Sequence, residues 1–380
     1  MKITEVTSTI LKSYEYPHGG WMLVRVRADE GLEGIGECFV PDQEGHGILA
    51  AQAVLEGSLE RVLLGVDPLD IEALWERMYG VCRSLYDRRG LAIHALSGVD
   101  MALHDLAGKA LGVPVHKLLG GCFRDRVKVY VSSIWVDEEH PQFALDATVR
   151  YVAQGFRAIK YYGWQSFGRN PKRDSSLLKA IRRAAGEGID LMLDLGRPAS
   201  LAEAIKMARM IEASGAGIYW WEEPLCSSDD AEGLARLAAS TDITIAAGER
   251  ELTAYAFRDL ILRRTVDLLQ PDLSWVGGLT EGKRIAEMAR LFNVPLVPHN
   301  WGTMINFAAS VHLVAAMPQG FLCEYPIAPR TSEAHIASPM MTELVRTPLT
   351  IENGYAVVPK GPGLGIELDE EAVRRYTMAE

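Results

Sequence analysis

The sequence predicts an α/β protein: a (β/α)8 barrel of the TIM type, capped by an N-terminal α+β domain that a short C-terminal tail completes. Three observations predict it. From Val127 onward, short β-type runs alternate with helical segments at intervals near one strand-plus-helix unit, about 30 residues. The first third is ordered differently, with strands first and helices after. Polar residues also fall repeatedly at the ends of the β-type runs, where a parallel barrel gathers them on one rim.

The capping domain, residues 1–125, begins with KITEVTSTILK, WMLVRVRAD and LEGIGECFV, read as an antiparallel meander with turns at YPHGG and DEGLEG. Helical stretches follow: GILAAQAVLEGSLERVLLG, DIEALWERMYG and the long LAIHALSGVDMALHDLAGKALG, which closes at Gly112 with Pro114 beyond. Residues 126–350 form the barrel. Its eight candidate strands are VKVYVSSIW, FRAIKYY, DLMLD, IYWWE, ITIAAGE, VDLLQPD, VPLVPH and FLCEY, with helices such as SLLKAIRRAAGEG and EGKRIAEMARLF between most of them. The tail, residues 351–380, holds YAVVP and PKGPGLGIEL. It is too short to fold alone and is expected to pack back on the capping domain.

Bulk composition narrows the function. An apolar fraction of 48% with 23% charged residues is that of an ordinary soluble enzyme. A net charge of −11 argues against nucleic acid and anionic membranes as partners, though not against a small anionic substrate in a locally basic cleft. The five cysteines are scattered without a CxxC pair, which fits a reducing compartment and excludes a cysteine zinc site. The N-terminus lacks a signal pattern and no apolar run reaches spanning length, so a cytoplasmic location is expected.

Asp194, Glu222 and Glu249 close three successive β-type runs, 28 and then 27 residues apart. Three carboxylates meeting on a barrel rim repel one another unless a hard cation neutralises them, and an all-oxygen set suits Mg²⁺. Glu223 neighbours Glu222 but faces the other way, and spacing alone does not choose between them. The other strand ends extend the set. Lys160 and Tyr162, two apart, face one side while Tyr161 turns outward. Asp272, His299 and Glu324 end strands six, seven and eight. From Lys160 the intervals are 34, 28, 27, 23, 27 and 25 residues, each one barrel repeat. Adjacent strand ends put Asp272 beside His299, so the carboxylate can hold Nδ1–H and leave Nε2 for proton transfer.

In this order (Lys160, Asp194, the Glu222-Glu223-Pro224 triplet, Gly248-Glu249, Asp272, His299, Glu324) the chain resembles the enolase superfamily, mandelate racemase subgroup, over its whole length. The resemblance implies that Asp194, Glu222 and Glu249 bind Mg²⁺. It implies that Asp272 and His299 form an acid/base dyad, and that Glu324 hydrogen-bonds the substrate carboxylate as charge builds on it. The shared chemistry is loss of a proton α to a carboxylate, giving an enediolate. Reprotonation then racemises, whereas expulsion of a β-hydroxyl dehydrates to a 2-keto-3-deoxy acid. The family's strand-two motif is Lys-x-Lys; here it is Lys160-x-Tyr162. Lys160 could favour the Tyr162 phenolate as a proton shuttle, or Tyr162 only donates a hydrogen bond. Either way a two-base racemase is disfavoured.

The expected activity is therefore Mg²⁺-dependent dehydration of an aldonate or aldarate. Racemisation or cycloisomerisation on the same site is the alternative, and a catalytically inactive metal-binding barrel the reading from a different class. Members of the family are usually symmetric assemblies, so a homo-oligomer is expected. Substrate contacts are expected from the capping loops: His18, His46, and a polar loop with Tyr86, Arg88 and Arg89. Arg197 and Arg250, each close behind a candidate ligand, and Trp301 beside His299 are further candidates. His94, His104 and His116 are read as packing residues.

Overall fold

The computed structural model describes residues 1–13, 17–42, 44–195, 199–225, 229–326 and 338–378. The cap opens with an antiparallel meander of β1 (Ile3–Leu11), β2 (Trp21–Ala28) and β3 (Glu33–Phe39), in the order β1-β2-β3. The first helical stretch divides into α1 (His46–Val54), a π-helical turn at Leu55–Leu59 and α2 (Glu60–Leu63). The break falls on Gly57-Ser58, where helix propensity is weakest. Then come α3 (Ile71–Ser84), α4 (Leu91–Leu111) and α5 (Val115–Leu118). Gly112 closes α4 in the left-handed region at φ 66°. β3 lies against α4 so closely that a Cβ on Gly36 would stand 2.0 Å from the Gly98 carbonyl oxygen.

The barrel strands are β4 (Arg126–Trp135), β5 (Ala158–Tyr162), β6 (Asp190–Asp194), β7 (Ile218–Glu222), β8 (Thr244–Ala247), β9 (Leu268–Leu269) and β10 (Cys323–Pro326). Neighbours pair in parallel from β4 to β9, and β10 pairs with β4. The seventh stave is present only as two parallel bridges, Leu269 to Leu296 and Asp272 to His299. Its sequence explains this: Pro295 and Pro298 each remove a ladder donor. Inside lies a core with one residue from each stave: Tyr130, Ala158, Met192, Trp220, Ala246, Leu268, Val297 and Leu322. Such a layer of side chains fills a closed eight-stave barrel.

Outside run α6 (Gln142–Ala153), α7 (Pro171–Ala185), α8 (Leu201–Ser214), α9 (Ala231–Ala238), α10 (Thr253–Arg263), α11 (Gly278–Leu291) and α12 (Met304–Ala316), with α13 (Met340–Glu343) after the barrel. No helix among the described residues is long and apolar enough to cross a membrane. The tail divides its contacts. The hairpin β11 (Ile351–Glu352) and β12 (Tyr355–Val357) joins β4, while the residues after it return to the cap. There Leu364 N donates to Asp105, and α14 (Glu370–Tyr376) brings Glu370 to Arg25 at 2.9 Å.

Candidate active site

Parallel register sets the rim. Trp135 pairs with Tyr162, Tyr162 with Asp194, and Asp194 with Glu222, so the ends of β4 to β7 lie level. Lys160, one inward step below Tyr162, is buried at 1% exposure. Its ammonium lies 2.5 Å from Glu222, 2.8 Å from Glu324 and 3.9 Å from Asp194. Burial opposes the charge, but Glu222, Glu324 and Asp194 outweigh it and hold the ammonium well above its ordinary pKa. Tyr161 turns outward as expected and meets Thr148 Oγ1 at 2.7 Å.

Glu222 is the inward member of its pair. One carboxylate oxygen takes Lys160, and the other accepts from Trp220 Nε1 at 3.1 Å and Gln270 Nε2 at 2.8 Å. Glu223 turns away through a left-handed backbone at φ 42° and accepts from Gly248 N at 2.9 Å. Burial and the neighbouring Glu249 push its carboxyl up to about 7. Burial, then Glu222, raises Asp194 well above the carboxylate range. Among the described residues no three such groups close round a point as a ready-made cation cage, because Lys160 and His299 lie between the acids. The donor set itself fits a hard divalent ion: three carboxylates on adjacent staves, with Glu222 and Glu249 disfavouring the ionisation of Asp194, and Glu249 that of Glu222.

Asp272 Oδ2 lies 2.7 Å from His299 Nδ1, so the imidazole donates Nδ1–H to it. The second oxygen accepts from Ser274 N, Ser274 Oγ and Asn306 Nδ2 at 2.7, 2.6 and 3.1 Å. His299 Nε2 faces the acidic rim, 3.3 Å from Glu249. Burial works against the imidazolium, yet Glu249, Glu324 and Asp272 raise it to about 10. Glu324 is held by Lys160 and by Asn300 N at 2.8 Å. Although burial opposes ionisation, Lys160 and His299 bring its carboxyl down to about 2.

Eight candidates thus converge: Lys160, Tyr162, Asp194, Glu222, Glu249, Asp272, His299 and Glu324. Lys160 is engaged by the carboxylates of Glu222 and Glu324, and Tyr162 is among the groups that favour the charge of Arg250. Tyr162 packs edge-on against Trp135 at 5.5 Å. Arg250 itself is exposed, 3.4 Å from Glu249. Trp301 is half-buried against the core, and its carbonyl accepts from Trp21 Nε1 at 3.3 Å.

His18 and His46, the first residue of α1, are both exposed, and the turn before α1 touches the His18 loop, since a Cβ on Gly45 would stand 2.2 Å from the His18 carbonyl oxygen. Tyr86, Arg88 and Arg89 line a separate cavity that none of the eight converging residues borders. Arg197 lies outside the described residues. His94 bonds the Phe39 carbonyl at 2.8 Å and lies 5.8 Å from Trp275, which in turn lies 5.4 Å from His299.

Several residues at the site were missed from sequence. Gln270 and Trp220 each stand two before a rim acid on the same stave, which by strand alternation puts them on the inward side. Glu37, a lone acid in the apolar run GIGECFV, is buried and accepts from Thr303 N at 2.9 Å and from Thr303 Oγ1. It ties the cap to the loop that follows His299.

Residues 143–372 match the family described as enolase C-terminal domain-like, and residues 17–120 match the mandelate racemase/muconate lactonizing enzyme N-terminal domain. The chain is 32% identical to D-galactarolactone cycloisomerase of Agrobacterium fabrum, over 100% of each. It is 34% identical to D-galactonate dehydratase of Xanthomonas axonopodis pv. citri, over 99% of this chain and 94% of that one. Among solved structures, 3,6-anhydro-D-galactonate cycloisomerase from Zobellia galactanivorans superposes with a TM-score of 0.84 at 34% identity, covering 99% of each chain.

Proposed function

The chain belongs to the mandelate racemase/muconate lactonizing enzyme family of the enolase superfamily, and from that premise we propose that it removes the proton α to a sugar-acid carboxylate and expels the oxygen on the β carbon. The product is a 2-keto-3-deoxy acid. The observation that carries this reading is the buried Asp272–His299 pair, a single acid/base unit whose Nε2 faces the carboxylate rim.

Asp194, Glu222 and Glu249 would hold Mg²⁺, and the chemistry that a bound Mg²⁺ supplies there is stabilisation of the negative charge that proton loss puts on the substrate carboxylate. Asp272 fixes the imidazole through Nδ1–H, and Nε2, once it has given up the proton that Glu249 and Glu324 favour on it, would take the α-proton as general base. The same nitrogen then returns the proton to the departing β-oxygen, so one residue serves both halves of the elimination. The family resemblance gives Glu324 the contact with the substrate carboxylate, a hydrogen bond that it would donate only once protonated. Lys160 offsets the charge of Glu222 and Glu324, which otherwise repels an anionic substrate. With Tyr162 in place of a second lysine the site has no matched pair of bases, which favours elimination over racemisation.

When the β-oxygen is a hydroxyl the reaction is dehydration. When it belongs to a ring, its expulsion opens the ring and no water is lost. This second reading, cycloisomerisation, is favoured by end-to-end similarity to D-galactarolactone cycloisomerase. The proposal includes a small carboxylate as sole substrate class, no nucleic-acid or membrane partner, and a symmetric homo-oligomer.

The test is a screen of aldonates, aldarates, their lactones and anhydro acids with Mg²⁺, read by semicarbazone absorbance of the 2-keto product. Keto acid from open-chain substrates supports dehydration; keto acid from cyclic ones alone supports cycloisomerisation. Removing the imidazole in His299→Asn is expected to lower turnover by roughly a thousandfold or more, in the upper part of the usual contribution of acid/base transfer. Solvent deuterium exchange at the α-carbon without keto acid would return the racemase reading. Neither product nor exchange would leave an inactive metal-binding barrel.

A further inference from the structure

Between cap and barrel, away from the eight converging residues, lies a cavity of about 620 Å³ whose lining includes Arg83, Asp87, Arg88, Arg89, Tyr255 and Arg258. One wall is the end of α3 and the loop leading into α4; the other is the first two turns of α10. Aromatic stacking of Tyr79 on Tyr255 at 6.1 Å joins the walls, and Trp75 backs Tyr79 on α3 at 5.0 Å. We propose that this cavity is an anion-binding site separate from the catalytic rim, for a small polyanion such as a phosphorylated or multiply carboxylated hydroxy acid.

Charge carries the argument. Four guanidinium groups face a single carboxylate there, in a chain whose net charge is −11. Asp87 is engaged at the start of α4, where it accepts from Ala92 N at 2.9 Å. Arg258 pairs with Asp259 at 2.8 Å. The side chains of Arg83, Arg88 and Arg89 have no hydrogen bond or ion pair among the described residues. Unpaired arginines scattered over a surface are ordinary, but three lining one concavity present a single sign of charge to it, which an anion of two or more charges complements. Their planar donor forks match carboxylate and phosphate oxygens, and the volume is that of a small-molecule pocket. Neighbouring tyrosine hydroxyls can bond the ligand's own hydroxyls.

Isothermal titration of the full chain at fixed ionic strength tests the site with two probes, 3-phosphoglycerate and tricarballylate, and glycerol as the neutral control. Saturable binding of either anion and none of glycerol is expected. A phosphate-selective site prefers the first probe and a carboxylate-selective site the second. The double variant Arg88→Ala/Arg89→Ala should weaken binding by roughly tenfold or more, as loss of charge-assisted contacts does. Arg83→Gln provides an independent check should the double variant melt abnormally. His299→Asn should bind the probe as the wild type does. Failure of both anions to bind, undiminished affinity in both arginine variants, or loss of binding in His299→Asn overturns the proposal. A change in sedimentation of the arginine variants without anion binding also overturns it, and assigns these arginines to contacts between copies of the chain.

Discussion

Asp272 gives one oxygen to His299 and receives three hydrogen bonds on the other, from Ser274 N, Ser274 Oγ and Asn306 Nδ2. Asn306 also binds Asn300 Oδ1 at 3.0 Å, and Asn300 in turn holds Glu324. Replacing Asn306 by alanine loosens both functional carboxylates without touching a reacting atom. The expected result is a kcat lowered by roughly 10- to 100-fold with KM little changed, the scale on which outer partners act. An unaltered kcat would show that Ser274 alone suffices to hold Asp272. Tyr162→Phe asks a different question. Phenylalanine keeps the packing on Trp135, and Lys160 is already engaged by Glu222 and Glu324. Steady-state assay should find activity within about tenfold of wild type, and a hundredfold loss would make the phenol a proton carrier. The rim acids, Asp272 and His299 were legible because each ends a stave at repeat spacing. Asn306 was not, since it sits inside an apolar helix where the sequence reads only as core. Glu37 was hidden by distance: it meets Thr303 across 266 residues, and no local pattern records such a contact.

At the level of elements, strand and helix order was readable because period-2 and period-3.6 patterns alternate without ambiguity from Val127 onward. What sequence did not give was how well each stave pairs. VPLVPH has strand composition, yet Pro295 and Pro298 reduce it to two bridges. Nor did it show why β3 carries two glycines. At Gly36 an added Cβ would meet the Gly98 carbonyl oxygen at 2.0 Å and Ala102 N at 2.7 Å. Both are backbone atoms of α4, so no side-chain rotation relieves the clash. Gly36→Ala is therefore expected to destabilise the fold by about 1–3 kcal/mol or more, the range of overpacking, measured by urea unfolding. Because the next residue is Glu37, the same shift should loosen the Thr303 loop and lower activity along with stability. A wild-type midpoint would mean that sheet and helix can separate without cost.

Over the whole molecule, cap, barrel and tail meet at a buried histidine pair. His312 on α12 accepts from His116 N at 3.3 Å, and its Nδ1 lies 3.2 Å from His116 Nδ1. Its Nε2–H donates to the Leu364 carbonyl at 3.1 Å, while Leu364 N donates to Asp105 on α4. This arrangement requires a neutral His312 with its one proton on Nε2. Burial pushes its pKa to about 3, with the Leu364 carbonyl opposing and His116 adding to the effect. Burial and Lys117 lower His116 as well. In the unfolded chain His312 titrates near 6.5. Above that pH both states are neutral and the full contribution to stability is present. As pH falls from 6.5 toward 3, the unfolded chain takes up a proton that the folded protein refuses, and stability drops by about 1.4 kcal/mol per pH unit. His312→Asn keeps an acceptor for His116 but cannot titrate. It should be less stable at neutral pH, having lost the Leu364 bond, and should fall less steeply on acidification. Urea midpoints of wild type and variant between pH 7.5 and pH 4.5 separate these contributions, because the carboxylates common to both cancel in the difference. Parallel slopes would mean that the junction opens before it protonates, and would assign acid sensitivity to groups elsewhere in the fold.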